Sequence, residues 1–175
     1  MLKLAAAPEP TNASFSALAE SLKMSQSEVF SAAQRALKCH LLVEDLKLPP
    51  GAARLRPVTV ALEEFLIGGL RYVFPAETGR TTRGLLTAMD APPLAAMLHR
   101  SPDDLPLVWP HADGDARGLS LKPLYPSVPD AALADRRLRE WLALADAIRA
   151  GDARVRRVAA ELLHAMTRNV KNART

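Results

Sequence analysis

The run Ser21–Leu37, SLKMSQSEVFSAAQRAL, decides how the first third of the chain is read. One short helix ends near Leu22 and a second begins at Ser25. Ser25 stands three residues before Glu28, the spacing at which a serine hydroxyl and a glutamate carboxylate each cap the other residue's backbone N–H. Val29, Ala32, Ala33, Ala36 and Leu37 then recur at helical spacing. Upstream, Ser14 or Ser16 is placed to cap a helix that buries Phe15, Leu18, Ala19 and Leu22, and Lys23-Met24-Ser25 makes the turn. Small residues on the inner face let the two helices cross closely. Ser25, Gln26, Ser27, Ser31, Gln34, Arg35 and Lys38 point outward. Gln and Arg match base edges by geometry, whereas Ser and Lys more often hold phosphate. Two readings stand at this point. The second helix enters the major groove of DNA, or the pair is a helical corner whose outward polar groups are simply solvated.

The next residues bear on that choice. Leu41–Leu48, LLVEDLKL, reads as extended, with Leu42, Leu46 and Leu48 in rough alternation. Pro49-Pro50-Gly51 is a turn, and Ala52–Val58, AARLRPV, returns with Arg54 and Arg56 on one face. Helix, turn, helix and hairpin over SFSALAESLKMSQSEVFSAAQRALKCHLLVE, Ser14–Glu44, resembles the winged helix-turn-helix transcription regulators of the multiple-antibiotic-resistance regulator (MarR) type. The resemblance covers about the first third of the chain. It implies a bacterial, cytoplasmic regulator of transcription that binds double-stranded DNA as a homodimer. It also implies that Ser25, Gln26, Ser27, Ser31, Gln34, Arg35 and Lys38 face DNA and that Arg54 and Arg56 lie on the wing. One departure is that such domains carry a full helix before the motif, and here only LKLAAA, residues 2–7, precedes Pro8 and Pro10.

Beyond the hairpin, Thr59–Arg71 reads as a helix with Leu62, Phe65, Leu66, Gly69 and Leu70 as its apolar stripe. Gly68-Gly69 weakens its end or admits a close backbone. Residues 72–130 hold nine of the 14 prolines and lose helical periodicity, yet keep apolar residues, as a packed irregular segment would. A short helix is expected from Asp90 to His99, and short extended pieces at Leu107–Trp109 and Leu119–Leu121. The last 45 residues read as a helical hairpin. Leu133, Leu138, Trp141, Leu142, Ala145 and Ile148 mark its first helix. Gly151 stands at the C′ position, Asp152 is an N-cap, and Val155, Val158, Ala159, Leu162, Leu163 and Met166 mark the second helix. The tail from Asn169 is polar and expected to fray.

Several further constellations each have a plain alternative. Arg80, Thr81, Thr82 and Arg83 between Gly79 and Gly84 form either an anion nest or a docking loop; the stretch lacks the Lys-Ser/Thr of a phosphate-binding P-loop. Cys39-His40 has no second ligand pair at useful spacing, so no metal is expected, and Cys39 is read as a small buried residue or a modest thiol. The arginines of the C-terminal hairpin form either a basic face or the solvent side of amphipathic helices. No nucleophile–base pair is evident, so neither an enzyme nor a cofactor is expected.

Composition agrees with a folded chain: 49% of the 175 residues are hydrophobic. Net charge is +4, basic at both ends and acidic between, weak support for a polyanion partner. A single cysteine excludes an intramolecular disulfide, and no run approaches the length of a membrane span. The expected fold class is α+β, mainly α. A winged helix-turn-helix domain over 1–58 is followed by a regulatory or dimerisation module over 59–175, with an irregular Pro-rich segment and a helical hairpin. The expected function is sequence-specific DNA binding, most simply as a repressor. The alternatives are an antitoxin-like regulator that holds a protein partner through 59–175 and autoregulates its operon, a winged domain used only for protein contacts, and a regulator that senses an effector near Tyr72, Trp109 and Tyr125.

Overall fold

The computed structural model describes residues 1–7 and 12–172. Pro8 and Pro10, read above as helix breakers, lie outside the described residues, as does the chain beyond Asn172. The fold is α+β and about half helical. Helix α1 spans Leu2–Ala6, α2 Phe15–Leu22 and α3 Gln26–Lys38. Strands β1 (Leu42–Glu44) and β2 (Leu55–Pro57) pair antiparallel, with Val43 opposite Arg56. The extended reading of 41–48 is longer than the strand. Asp45–Leu48 turns, leaving Leu46 exposed and Leu48 buried.

A helical run follows as α4 (Thr59–Glu64), a π-helical turn (Phe65–Gly69) and α5 (Leu70–Val73). Gly68-Gly69 does not admit a neighbouring backbone. It lies in the π turn, where a side chain at Gly69 would meet only the ring of Phe65.

Residues 72–130 differ most from the reading above. They are not irregular but carry a small closed sheet of β3 (Thr78–Leu86), β4 (Leu107–Pro110) and β5 (Ala116–Leu121). Strand β3 pairs antiparallel with both others, and β4 and β5 close in parallel. The closure is tight. A Cβ on Gly84 would lie 2.0 Å from the carbonyl oxygen of Trp109, so only glycine fits there. No α-helix forms over 90–99. Two 3-10 turns, Ala88–Asp90 and Leu94–Ala96, flank a cis Pro92–Pro93 bond, and Asp90 takes the Arg100 guanidinium at 2.9 Å.

The chain ends in α6 (Val128–Ala134), α7 (Arg136–Ala150) and α8 (Ala153–Asn172). Leu133 belongs to α6 and is exposed, not part of the hairpin. Asp152 caps α8 through the Val155 N–H at 2.8 Å. Gly151 is not left-handed (φ −73°). It is small because a Cβ there would lie 2.5 Å from the Ala147 carbonyl oxygen. Helix α8 stays helical through Asn172 rather than fraying at Asn169. The apolar side of this hairpin packs on α4 and α5 of the same chain. No helix among the described residues is long and apolar enough to cross a membrane.

Two clusters of buried residues divide this architecture. Leu4, Leu18, Ala19, Val29, Ala33, Ala36, Leu42 and Leu55 fill the space under α2, α3 and the first hairpin. The larger cluster surrounds α7, whose residues Trp141–Ile148 are all buried. Asp146 stands in that run with its side chain 1% exposed. Its Oδ2 accepts from Trp109 Nε1 at 2.6 Å and Thr87 Oγ1 at 2.9 Å, and its Oδ1 from Arg149 Nη1 at 2.7 Å. Arg149 in turn donates to the carbonyls of Phe74, Pro75 and Lys122. Burial pushes the Asp146 carboxyl above its ordinary value, and Arg149, Thr87 and Trp109 pull against that. Every polar atom of this carboxylate is used, as a buried charge requires. Asp146→Ala strands the Arg149 guanidinium, and we expect a loss of about 3–5 kcal/mol in chemical denaturation. Arg136→Ala, at a side chain 88% exposed, is expected to leave the midpoint where it was; equal effects from both would contradict this assignment.

Candidate nucleic-acid interface

Helix α3 is set by its own sequence. The Ser25 hydroxyl accepts from the Glu28 N–H at 3.2 Å, and the Ser25 N–H donates to Glu28 Oε2 at 3.0 Å, the reciprocal box. Lys23 adopts φ 53° to close α2 and send the chain into α3. Val29, Ala33 and Ala36 are buried against α2. The opposite side of α3 carries Ser27, Ser31, Gln34, Arg35 and Lys38, and Gln26 stands in the first turn above the buried stripe; all six are exposed. Ser27, Ser31, Arg35 and Lys38 follow one another along the helix at steps of three and four, as do Gln34 and Lys38. Among the described residues, none of these six side chains makes a hydrogen bond or ion pair. The two cations fall in the last turn, where they also suit the helix dipole.

Phe30 is a residue of this helix that the polar pattern does not mark. It is 49% exposed on this same face and meets Phe15 edge-on, with ring centroids 5.3 Å apart. Gln26, Ser27 and Ser31 surround the pair in a shallow depression. An aromatic side chain at that place is suited to a thymine methyl group. The signal was present in the sequence: Phe30 falls outside the apolar stripe of Val29, Ala33 and Ala36.

The two hairpin arginines do not share a face. Arg56 lies within β2 between buried Leu55 and Pro57 and is exposed, with Asp45 at 3.8 Å. Arg54 precedes the strand at φ 52°, and its Nε donates to the Pro49 carbonyl at 3.3 Å. Arg56 therefore presents its charge outward, while Arg54 braces the hairpin tip.

Other candidates resolve differently. Arg80, Thr81, Thr82 and Arg83 lie on β3 rather than in a nest, and Arg83 donates to the Gly114 carbonyl at 2.6 Å. Cys39 is exposed, not buried. Tyr72, Trp109 and Tyr125 do not line one site. Tyr72 is exposed beside Arg71, Trp109 is buried against Asp146, and Tyr125 donates to Glu28. Four of the C-terminal arginines are engaged within the chain. Arg149 is buried, Arg136 and Arg157 pair with Glu140 and Glu161, and Arg156 donates to the Gly151 carbonyl at 2.6 Å. No group of three or more His, Cys, Asp or Glu able to hold a metal ion occurs among the described residues.

The second module touches α3 and α2 at two polar points. Tyr125 reaches the carboxylate that caps α3, and the Ser127 hydroxyl donates to the Leu22 carbonyl at 2.6 Å. The hydrogen bond from Tyr125, then those from Ser25, hold the Glu28 carboxyl below its ordinary value. A lowered folded value means that this stabilisation is fully present above the ordinary glutamate range and is lost as pH falls through the folded value. Tyr125→Phe is expected to move the Glu28 titration midpoint upward in carboxyl-detected NMR; a midpoint that stays put would show that the contact does not form in solution.

No family model, curated protein or solved structure matches this chain.

Proposed function

We propose that the chain is a sequence-specific DNA-binding regulator of the winged helix-turn-helix kind, in its simplest form a repressor. The observation that carries this reading is the outer face of α3. It is a capped helix on which Gln26, Ser27, Ser31, Gln34, Arg35 and Lys38 are exposed and unengaged. A solvated surface helix is commonly laced with its own charge pairs, as Arg136–Glu140 and Arg157–Glu161 are on α7 and α8. The face of α3 instead carries donors, acceptors and cations, and the one carboxylate of the helix, Glu28, is taken by Ser25 and Tyr125. The helix is 13 residues long and fits the major groove, about 12 Å wide. Gln34 and Arg35 read base edges, while Ser25, Ser27, Ser31 and Lys38 hold phosphates. Arg56 on the hairpin approaches the flanking backbone. One such helix reads one half-site, so two copies of the chain bind half-sites about 34–36 Å apart as a homodimer.

A second reading has its own support. Tyr72, Val73 and Phe74 are exposed in succession at the end of α5, an apolar surface of the kind that takes a protein. In that reading residues 59–175 hold a protein partner, as an antitoxin holds its toxin, and the DNA-binding part autoregulates the operon. Co-purification of a stoichiometric partner, lost on Tyr72→Ser with Val73→Ser, would favour it.

Gln34→Ala or Arg35→Ala is expected to weaken specific DNA binding by about 1–3 kcal/mol for a lost base contact. Arg56→Ala should weaken all sequences evenly and reduce the salt slope by about 1. Arg54→Ala should act less on DNA and more on the hairpin. If neither Gln34→Ala nor Arg35→Ala changes affinity for the preferred site, α3 is not the reading helix.

A further inference from the structure

The first four residues of β3, Thr78–Thr81, are exposed, and the strand reaches the core only at Gly84 and Leu85. In this outer part Arg83 stands directly opposite Arg117 of β5, and Thr81 opposite Leu119. Cross-strand partners point to the same side of a sheet, so two guanidinium groups share one small surface, and like charges placed in this way repel. Arg80 falls where the register shifts between Thr78 and Thr81, and it too is exposed. No carboxylate is paired with this surface. Among the described residues the side chains of Arg80 and Arg117 make no hydrogen bond or ion pair, and Arg83 donates to the Gly114 carbonyl. Asp113 and Asp115 stand in the turn between β4 and β5 and pair with none of the three. A repulsion that the chain leaves uncompensated is relieved by a bound anion, through charge-assisted hydrogen bonds.

We infer that the arginine surface of β3 and β5 is a second contact to DNA, made to the phosphate backbone of the duplex beside the site that α3 reads. This inference rests on the DNA-binding reading. The chemistry of the partner follows from the residues. Guanidinium forks and threonine hydroxyls suit phosphate oxygens. No aromatic residue occurs on β3 or β5, so unpaired bases find no stacking surface and a protein partner finds no aromatic anchor. The three strands close on one another, which leaves no open edge for an added strand. The place of the contact follows from Tyr125. It lies four residues beyond the end of β5 and donates to Glu28 in the first turn of α3. The first turn of a reading helix is the part nearest the bases, so the root of the β3–β5 pair is fixed at that end. Arg117 lies four residues before the end of β5, about 13 Å along the strand at about 3.3 Å per residue. That span equals about four base pairs of duplex at about 3.4 Å each. The phosphates contacted therefore flank the α3 site, and the contact adds affinity without sequence preference.

The test measures anisotropy of the full chain with DNA from upstream of its own gene and with a scrambled duplex, between about 50 and 200 mM salt. Three double variants are compared with the wild type. Arg80→Gln with Arg117→Gln removes two charges, and Arg80→Lys with Arg117→Lys keeps them. Arg137→Gln with Arg168→Gln removes two charges from exposed positions on α7 and α8. The first variant is expected to weaken both duplexes by the same factor, about five-fold or more at the lowest salt, and to reduce the salt slope by about 2. Its preference for the upstream DNA stays as in the wild type. The lysine variant keeps the wild-type slope, and the variant on α7 and α8 changes it by less than half as much as the first. A wild-type slope in the first variant overturns the second contact. So does an equal change in the α7 and α8 variant, which would mark a general effect of charge. A loss in the lysine variant as large as in the first also overturns it, because charge is then not the cause. A wild type that binds neither duplex removes the DNA reading itself, and this contact with it.

Discussion

The structure depends on one buried carboxylate. Asp146 faces inward from the run Trp141–Ile148 of α7, which is otherwise apolar and wholly buried. It ties β4 through Trp109, the end of β3 through Thr87, and the chain leaving α5 through Arg149. These three segments come from different places in the sequence. A charge in that place is costly unless every lone pair is used, so the carboxylate selects one arrangement of the small closed sheet on α7. The loop after β5 then lands where Tyr125 and Ser127 meet Glu28 and Leu22. The N-terminal helices are thus held on a platform whose geometry is decided about 20 residues beyond Tyr125, at Asp146.

What could be read in the sequence was what local rules determine. The Ser25–Glu28 box, the Pro-Pro-Gly turn and the Asp152 cap are short-range features, and the structure shows each where it was expected; of the two serines able to cap α2, Ser14 does so. Strand β3 was not legible because TGRTTRG carries no apolar alternation and its register is set by partners more than 20 residues away. Its glycines are there for close approach rather than for a loop. The expected helix over 90–99 failed for a related reason. Asp90 looks like an N-cap, but its carboxylate is taken by Arg100. Asp146 itself was invisible, since the stripe of Leu138, Trp141, Leu142, Ala145 and Ile148 gives no sign that the flanks of that helix are also covered.

The candidate interface shows the same division. The polar positions of α3 follow from helical periodicity, so their exposure was foreseeable from Ser25 to Lys38. The placement of the hairpin arginines was not, because simple alternation does not anticipate the left-handed residue at Arg54. Nor did any local pattern join Tyr125 to the cap of α3, a contact across 97 positions. That contact ties the segment after β5 to the N-terminus of α3.

The most direct measurement is fluorescence anisotropy of the chain with DNA from upstream of its own gene, against a scrambled duplex, between about 50 and 200 mM salt. A helix α3 that reads DNA gives tight binding to the upstream DNA, markedly weaker binding to the scrambled duplex, and affinity that falls steeply with salt. Equal affinity for both duplexes, or none for either, would contradict it.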